Sequence, residues 1–572
     1  MRYQYSVFLS ATILLVTACT QSRAPTAADR VSDGGKSSTM EAVADQPVRH
    51  AAQDSPRPGV AQKQRKSAAP ADLAFIRPAP ASVGIDRENY APVESQGIQL
   101  ASQAPVSTFS IDVDTGSYAN VRRMLQEGRL PPRDAVRVEE LVNYFGYQDP
   151  GPAERTLPFR LTTELAVTPW NRETRLLRIA LKAWEMPRAE LPPSNLVFLI
   201  DVSGSMNSPD KLPLLKRSLK LLAGRMRAED KITLVVYAGA AGVVLEPIAG
   251  NRQATIEAAL ENLSAGGSTH GSAGIELAYA KAREAFVTGG INRVILATDG
   301  DFNVGTVDQR ALLDLIERER ESGIALTTLG FGRGNLNDRL MEQLADHGNG
   351  NYAYIDTLLE AQKVLVEQVG GTLLTLARDV KVQVEFNPAR VAEYRLIGYE
   401  NRALRREDFN NDRVDAGELG AGHSVVALYE LNLVGAGRSL FDPLRYGSAQ
   451  AGGVQSHDDE IAYVKLRYKA PEGGQSRLLT RAVNGAAQSE SLLASSDDFR
   501  FSAAVAAFAQ RLRGSPYLND FGYQDILALA RNSRGADRHG YRSGFLRLVA
   551  LAGSLDGGTQ EVAMRRSDDG TR

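Results

Sequence analysis

From Pro192-Pro193 to about Leu374, short apolar runs alternate with amphipathic stretches, and this pattern narrows the fold more than anything else in the chain. Apolar strands separated by helices are the mark of a mostly parallel sheet covered on both faces. The strand candidates are 196–201, 231–237, 242–246, 292–298, 324–330 and 352–356. After the first of them, Leu212, Leu215, Leu219 and Leu222 recur at steps of three and four, which puts them on one face of a helix. The predicted class is α/β, a doubly wound and mostly parallel sheet.

The first strand, Leu196-Val-Phe-Leu-Ile200, runs straight into Asp201-Val-Ser203-Gly-Ser205. A buried strand thus carries one carboxylate and two hydroxyls to its C-terminal end, where open α/β sheets bind ligands at a topological switch point. Gly266-Gly-Ser-Thr269 supplies another hydroxyl from a Gly-rich loop. Asn292-Arg-Val-Ile-Leu-Ala-Thr298-Asp299-Gly-Asp301 is a second apolar strand that ends in carboxylates. Hard oxygen donors of this kind suit Mg²⁺, which takes oxygen ligands in near-octahedral geometry. Asp, Ser, Gly and Thr are also common turn residues after strands. That explains any one piece, but not three in register with the α/β pattern.

The pattern resembles the von Willebrand factor A (VWA) domain and its metal-ion-dependent adhesion site, D-x-S-x-S…T…D. Asp201, Ser203, Ser205, Thr269 and Asp299 match it position by position. The resemblance implies a Rossmann-like sheet with Ser203, Ser205 and Thr269 as direct metal ligands. Asp201 and Asp299 would then act through water or balance charge. A cation held mainly by neutral hydroxyls stays electrophilic and favours an anionic ligand, here a Glu or Asp carboxylate from a partner protein. Mg²⁺ is the expected ion, with Mn²⁺ or Ca²⁺ as substitutes. His270 adjoins Thr269 and is read as a rim residue, and Asp301 as an acceptor behind the ligands or a rim charge.

The chain's one cysteine, Cys19, follows a short polar start and the apolar run Val7–Val16, which has signal-peptide length and is too short to span a membrane as a mature helix. Val16-Thr-Ala-Cys19 resembles a bacterial lipobox. The implied processing cleaves before Cys19 and acylates it, giving a stable membrane anchor at ~0.8 kcal/mol per buried CH₂. Thr20 in place of Asp points to the outer membrane, with the protein facing the periplasm. With no second cysteine, no disulfide staples the mature fold. Residues 1–18 are therefore read as a lipoprotein signal peptide. Residues 19–88, rich in Ala, Ser, Gln, Pro and Arg, are read as a disordered tether spanning about 40 Å.

The remaining segments flank the sheet. Residues 89–158 hold a strand at Val106–Asp114 and helices at Tyr118–Gly128 and Arg137–Phe145. Residues 159–191 alternate apolar and polar like half-buried strands. The VWA domain takes 192–374. Residues 375–475 form an antiparallel β-sandwich, in which Leu374, Leu376, Val380, Val382, Val384 and Phe386 share a period-2 face. With 159–184, these strands are read as one sandwich into which the VWA domain is inserted. Residues 476–555 are a helical domain, with Phe501, Val505, Phe508 and Leu512 on one helix face, and 556–572 a flexible tail. The words Phe109-Ser-Ile-Asp-Val-Asp-Thr-Gly-Ser-Tyr118, Glu139-Glu-Leu-Val-Asn-Tyr-Phe145 and Gly540-Tyr-Arg-Ser-Gly-Phe-Leu546 resemble the N- and C-terminal regions of a bacterial lipoprotein family built around a VWA domain.

Other chemistries fit poorly. A net charge of −2 gives no field that favours nucleic acid. Asp114-Thr-Gly is the aspartic-protease word, but that chemistry needs two such carboxylates. His270-Gly-Ser272-Ala-Gly lacks the first Gly of a nucleophile elbow. Asp408-Phe-Asn-Asn-Asp412-Arg-Val-Asp415-Ala-Gly-Glu418 looks like a calcium loop, but Arg413 and Leu419 hold the places of its Gly and Glu. No nucleophile–base pair appears, so an enzyme is not expected. Two functions remain. One is a membrane-anchored module that binds a protein through a metal ion, and the other an envelope scaffold that the metal only stabilises.

Overall fold

Six apolar runs form one sheet in the computed structural model. In spatial order they are Tyr352–Ile355, Ala325–Phe331, Ile291–Thr298, Ser194–Asp201, Lys231–Tyr237 and Ala241–Ala249. All neighbours are parallel except the last pair, which is an antiparallel hairpin. The two central strands, Ser194–Asp201 and Ile291–Thr298, are buried at every residue, which is why they read as unbroken apolar runs. Helices Leu212–Ala223 and Gln253–Glu261 cover one face through Leu215, Leu219, Ile256 and Leu260. Helices Gly271–Glu284, Gln309–Glu321 and Asp338–His347 cover the other through Ile275, Tyr279, Ile316 and Leu344. The fold is therefore doubly wound α/β. The order of winding reverses between the two central strands, which opens a crevice at their C-terminal ends.

The structure describes residues 88–572, apart from 155, 269–270, 301–308, 369–370, 372, 437–438, 440, 442–458, 486–487, 490 and 570–572. The signal peptide, Cys19 and nearly all of the tether lie outside the described residues.

Two further sheets pack face to face. One runs Gln99–Leu100, Val391–Ile397, Ser424–Leu433, Asn171–Ala183, Phe159–Thr168, Gln488–Ser489. The other runs Gly417–Gly420, Thr375–Phe386, Glu460–Ala470, Gly473–Asn484, with Val106–Ser110 also paired to Thr375–Phe386. Their core joins Leu161, Leu177 and Ile179 to Val382, Val384, Phe386 and Leu466. Asn171–Ala183 precedes the doubly wound sheet and Ser424–Leu433 follows it, yet the two pair along eight residues. The back of the first sheet, through Ala166, Leu176, Ala180 and Leu428, meets a helical layer built from Val138–Asn143, Asp497–Leu512, Tyr523–Arg531 and Tyr541–Asp569.

Three local features depart from the sequence pattern. The period-2 face of Thr375–Phe386 slips at a bulge around Asp379, whose φ is +52°. Ala377 is buried there in place of Leu376, and the even positions resume at Val380. The segment 476–555 is not wholly helical, because the strand Gly473–Asn484 occupies its start. This is an edge strand with mostly exposed side chains, so it shows no clean alternation. The final helix, Tyr541–Asp569, runs on through most of 556–572, where a flexible tail was expected. No proline interrupts 556–569, so the helix that begins at Tyr541 continues through Gly557 and Gly558.

Candidate metal centre

Asp201 closes its strand fully buried, and its carboxylate organises the turn that follows. Its Oδ1 accepts the Ser203 backbone N–H at 2.9 Å. Its Oδ2 accepts the Tyr237 hydroxyl at 3.2 Å and the Thr298 hydroxyl at 3.0 Å. The chain then turns through a short 3₁₀ segment, Gly204–Asn207, so Ser203 and Ser205 project together, their Oγ atoms 3.0 Å apart. Adjacent ligands of an octahedral Mg²⁺, each at about 2.1 Å, stand about 3 Å apart. The hydroxyl pair has that spacing, so the donor set fits a small, hard cation.

Asp299 arrives from the neighbouring central strand and is equally buried. Gly300 after it has φ +95°, and a Cβ there would lie 2.5 Å from the Asn337 backbone nitrogen, so only glycine allows this loop to pass. The Lys211 ammonium reaches Asp299 Oδ2 at 2.9 Å and Asn335 Oδ1 at 3.1 Å. Burial works against ionisation of Asp299. Hydrogen bonds from Asn335 and Lys211, the lysine's charge and the Ser205 hydroxyl outweigh it and hold the carboxyl below its ordinary range. Asp201 shifts the other way. Burial raises it and the charge of Asp299 adds to that, while hydrogen bonds from Ser203 and Thr298 oppose.

The structure thus brings Asp201, Ser203, Ser205 and Asp299 together at the switch point. Thr269, His270 and Asp301 lie outside the described residues. The loop leading to Thr269 is tied to the turn, with Gly204 N donating to Gly267 O at 3.1 Å and Gly266 N to Val202 O at 2.7 Å. Sequence reasoning missed Lys211, Asn335, Tyr237 and Thr298. The one available signal was Thr298, a hydroxyl that closes the apolar run Val294–Ala297.

A second acidic group lies elsewhere. Asp112, Glu140 and Glu342 are buried, with carboxylate oxygens within 4.8 Å of one another. Arginines fill this group. Arg137 meets Glu140 at 2.7 Å, Asp338 at 2.5 Å and Glu342 at 2.9 Å. Arg402 meets Asp112, Asp114, Glu342 and Asp346 at 2.8–3.4 Å. Burial, the largest cause, raises Glu140 to about 8 and Glu342 to about 7. The Asp114-Thr-Gly word belongs here, where Asp114 Oδ1 accepts the Tyr352 N–H at 2.8 Å. Three carboxylates of the calcium-like loop also have partners: Asp408 meets Arg405, Asp412 accepts from Ser476 N, and Asp415 meets Arg320.

Comparison with known proteins agrees with this architecture. Residues 195–368 match the von Willebrand factor type A domain, 84–178 a family described as von Willebrand factor, and 371–555 the family described as uncharacterized protein YfbK, C-terminal. The chain is 49% identical over 469 residues to uncharacterized protein YfbK of Escherichia coli (strain K12), covering 81% of this chain and 80% of that one. It is 26% identical to uncharacterized protein sll0103 of Synechocystis sp., over 54% of this chain and 69% of that protein. Among solved structures, a von Willebrand factor type A protein from Catenulispora acidiphila aligns with a TM-score of 0.37 at 14% identity, covering 69% of this chain and 91% of that one.

Proposed function

The chain belongs to the family of YfbK-like proteins, which join a von Willebrand factor type A domain to a YfbK C-terminal domain, and on that premise we propose that it binds a partner protein through a divalent cation. The observation that carries this function is the pair of Ser203 and Ser205 oxygens 3.0 Å apart, with Asp201 and Asp299 buried beside them at the switch point. Ser203, Ser205 and Thr269 would hold the ion directly, and Asp201 and Asp299 would act through water or balance its charge. Mg²⁺ suits these donors best, with Mn²⁺ or Ca²⁺ as substitutes. When bound, the ion supplies a Lewis-acidic position for one carboxylate of the partner. The chain's own part is to fix the hydroxyls. Asp201 does so by accepting the Ser203 N–H, and the Val202–Gly266 and Gly204–Gly267 bonds hold the adjoining loop against the turn. This is binding rather than catalysis.

We place the protein in the cell envelope, anchored by lipid at Cys19 to the outer membrane and facing the periplasm. The lipobox-like Val16-Thr-Ala-Cys19 and Thr20 support that placement. Among the described residues, no helix is long and apolar enough to cross a membrane.

Crosslinked pull-downs with Mg²⁺ or with EDTA test the function. Capture that vanishes in EDTA and returns with Mg²⁺ supports it. Capture that persists in EDTA, with only a lower melting temperature, favours the scaffold. Cys19→Ala should move the protein from the membrane pellet to the soluble fraction, and continued pelleting would rule out the anchor.

A further inference from the structure

The candidate metal centre contains a lysine side chain of its own. Lys211 lies ten residues beyond Asp201, just before the helix Leu212–Ala223, and its side chain is only 8% exposed. Its ammonium reaches Asp299 Oδ2 at 2.9 Å and Asn335 Oδ1 at 3.1 Å. The pocket makes room for it at Gly332, where an added Cβ would collide with the lysine stem and where φ is +70°. Tyr354 holds that glycine in place by donating its hydroxyl to the Gly332 carbonyl at 2.6 Å. A buried lysine with its own channel and two fixed acceptors is a built feature, not a surface charge folded inward.

Its charge has a consequence for the ion and for the partner. Asp201 and Asp299 bring two negative charges, and Lys211 cancels one. A divalent cation added to the remaining negative charge leaves the pocket net positive by one. Without the lysine the same ion and carboxylates would be neutral, and a partner carboxylate would gain far less by entering. We propose that Lys211 determines specificity, weakening the site's hold on the bare ion while strengthening its demand for an anionic ligand. This rests on the metal-dependent binding proposed above. It accounts for a site that commits one of its two carboxylates, Asp299, to a monovalent cation.

The test measures Mn²⁺ binding to the full-length chain in detergent by electron paramagnetic resonance, with acetate replacing chloride at equal ionic strength. In the wild type, acetate tightens Mn²⁺ binding. Lys211→Met binds Mn²⁺ about tenfold more tightly, the scale of one close charge in a partly screened site, and loses most of the acetate effect. Lys211→Arg keeps wild-type behaviour. Unchanged or weaker Mn²⁺ binding by Lys211→Met overturns the inference and leaves the metal site standing. No Mn²⁺ binding by the wild type overturns the metal site and the inference with it. Should Lys211→Met fail to fold by circular dichroism, Lys211→Gln replaces it. The wild-type acetate effect decides independently, because a Mn²⁺ affinity indifferent to acetate refutes the role of the lysine.

Discussion

Two of the places where the molecule buries carboxylates neutralise them in opposite ways. At the switch point, two carboxylates stand beside clustered hydroxyls, and one of them, Asp299, pairs with a lysine. At the junction of Arg137 and Arg402, Asp112, Asp114, Glu140, Asp338, Glu342 and Asp346 close around two guanidinium groups. The first arrangement has neutral oxygens spaced for a small cation. The second has planar guanidinium groups that each bridge several carboxylates, one oxygen apiece, and cannot leave. Acidic residues alone therefore do not identify a metal site, and their neighbours decide whether the neutralising charge can be exchanged. The junction also explains what holds the inserted domain. Its carboxylates come from the N-terminal segment and from the helix Asp338–His347, and Arg402 comes from the sandwich.

The largest effect should come from breaking the permanent side. Arg402→Ala leaves several buried carboxylates uncompensated and should cost about 3–5 kcal/mol, read from urea unfolding. Next is the exchangeable side. At Mg²⁺ a hundred times its Kd, the wild type should gain about 2.7 kcal/mol, and so should a still-folded Arg402→Ala. The double variant Ser203→Ala/Ser205→Ala should fold and gain nothing. If Arg402→Ala lost the Mg²⁺ response while the serine variant kept it, the assignment of the two regions would be reversed.

The same buried group also predicts a dependence on pH. Burial raises Glu140 to about 8, and Glu139 and Glu342 to about 7, from an ordinary value of 4.5. Between those values the folded chain holds protons that the unfolded chain has released. Their contribution is complete below pH 4.5 and is lost as pH rises through 7 to 8, so stability should fall across that range. Glu140→Gln should flatten the fall in urea midpoint against pH, and an unchanged slope would remove Glu140 as a cause.

The doubly wound sheet was legible because its central strands are buried on both faces and read as unbroken apolar runs. Asp201, Ser203, Ser205 and Asp299 were legible because fixed spacing at strand ends marks them. Lys211 was not, since a lysine before a helix is ordinary and its partner Asn335 lies 124 residues away. Nor was the junction, where Arg137 pairs with Asp338 across 201 positions and Arg402 with Asp112 across 290. Nothing local marks Glu139 and Glu140 as buried, because an acidic first turn is also what an exposed helix shows. The strand Gly473–Asn484 stayed hidden for the converse reason: an edge strand with one half-solvated face carries little periodic signal.

The pairing of Asn171–Ala183 with Ser424–Leu433 imposes an order of assembly on a chain that emerges from its N-terminus. The ladder of the inserted sheet, from Ser194 to Ile355, is complete within its own stretch and can close early, whereas the hairpin of Phe159–Thr168 and Asn171–Ala183 must wait more than two hundred residues for the strand that covers its Asn171–Ala183 edge. During that wait the open edges of the hairpin are exposed to wrong pairings.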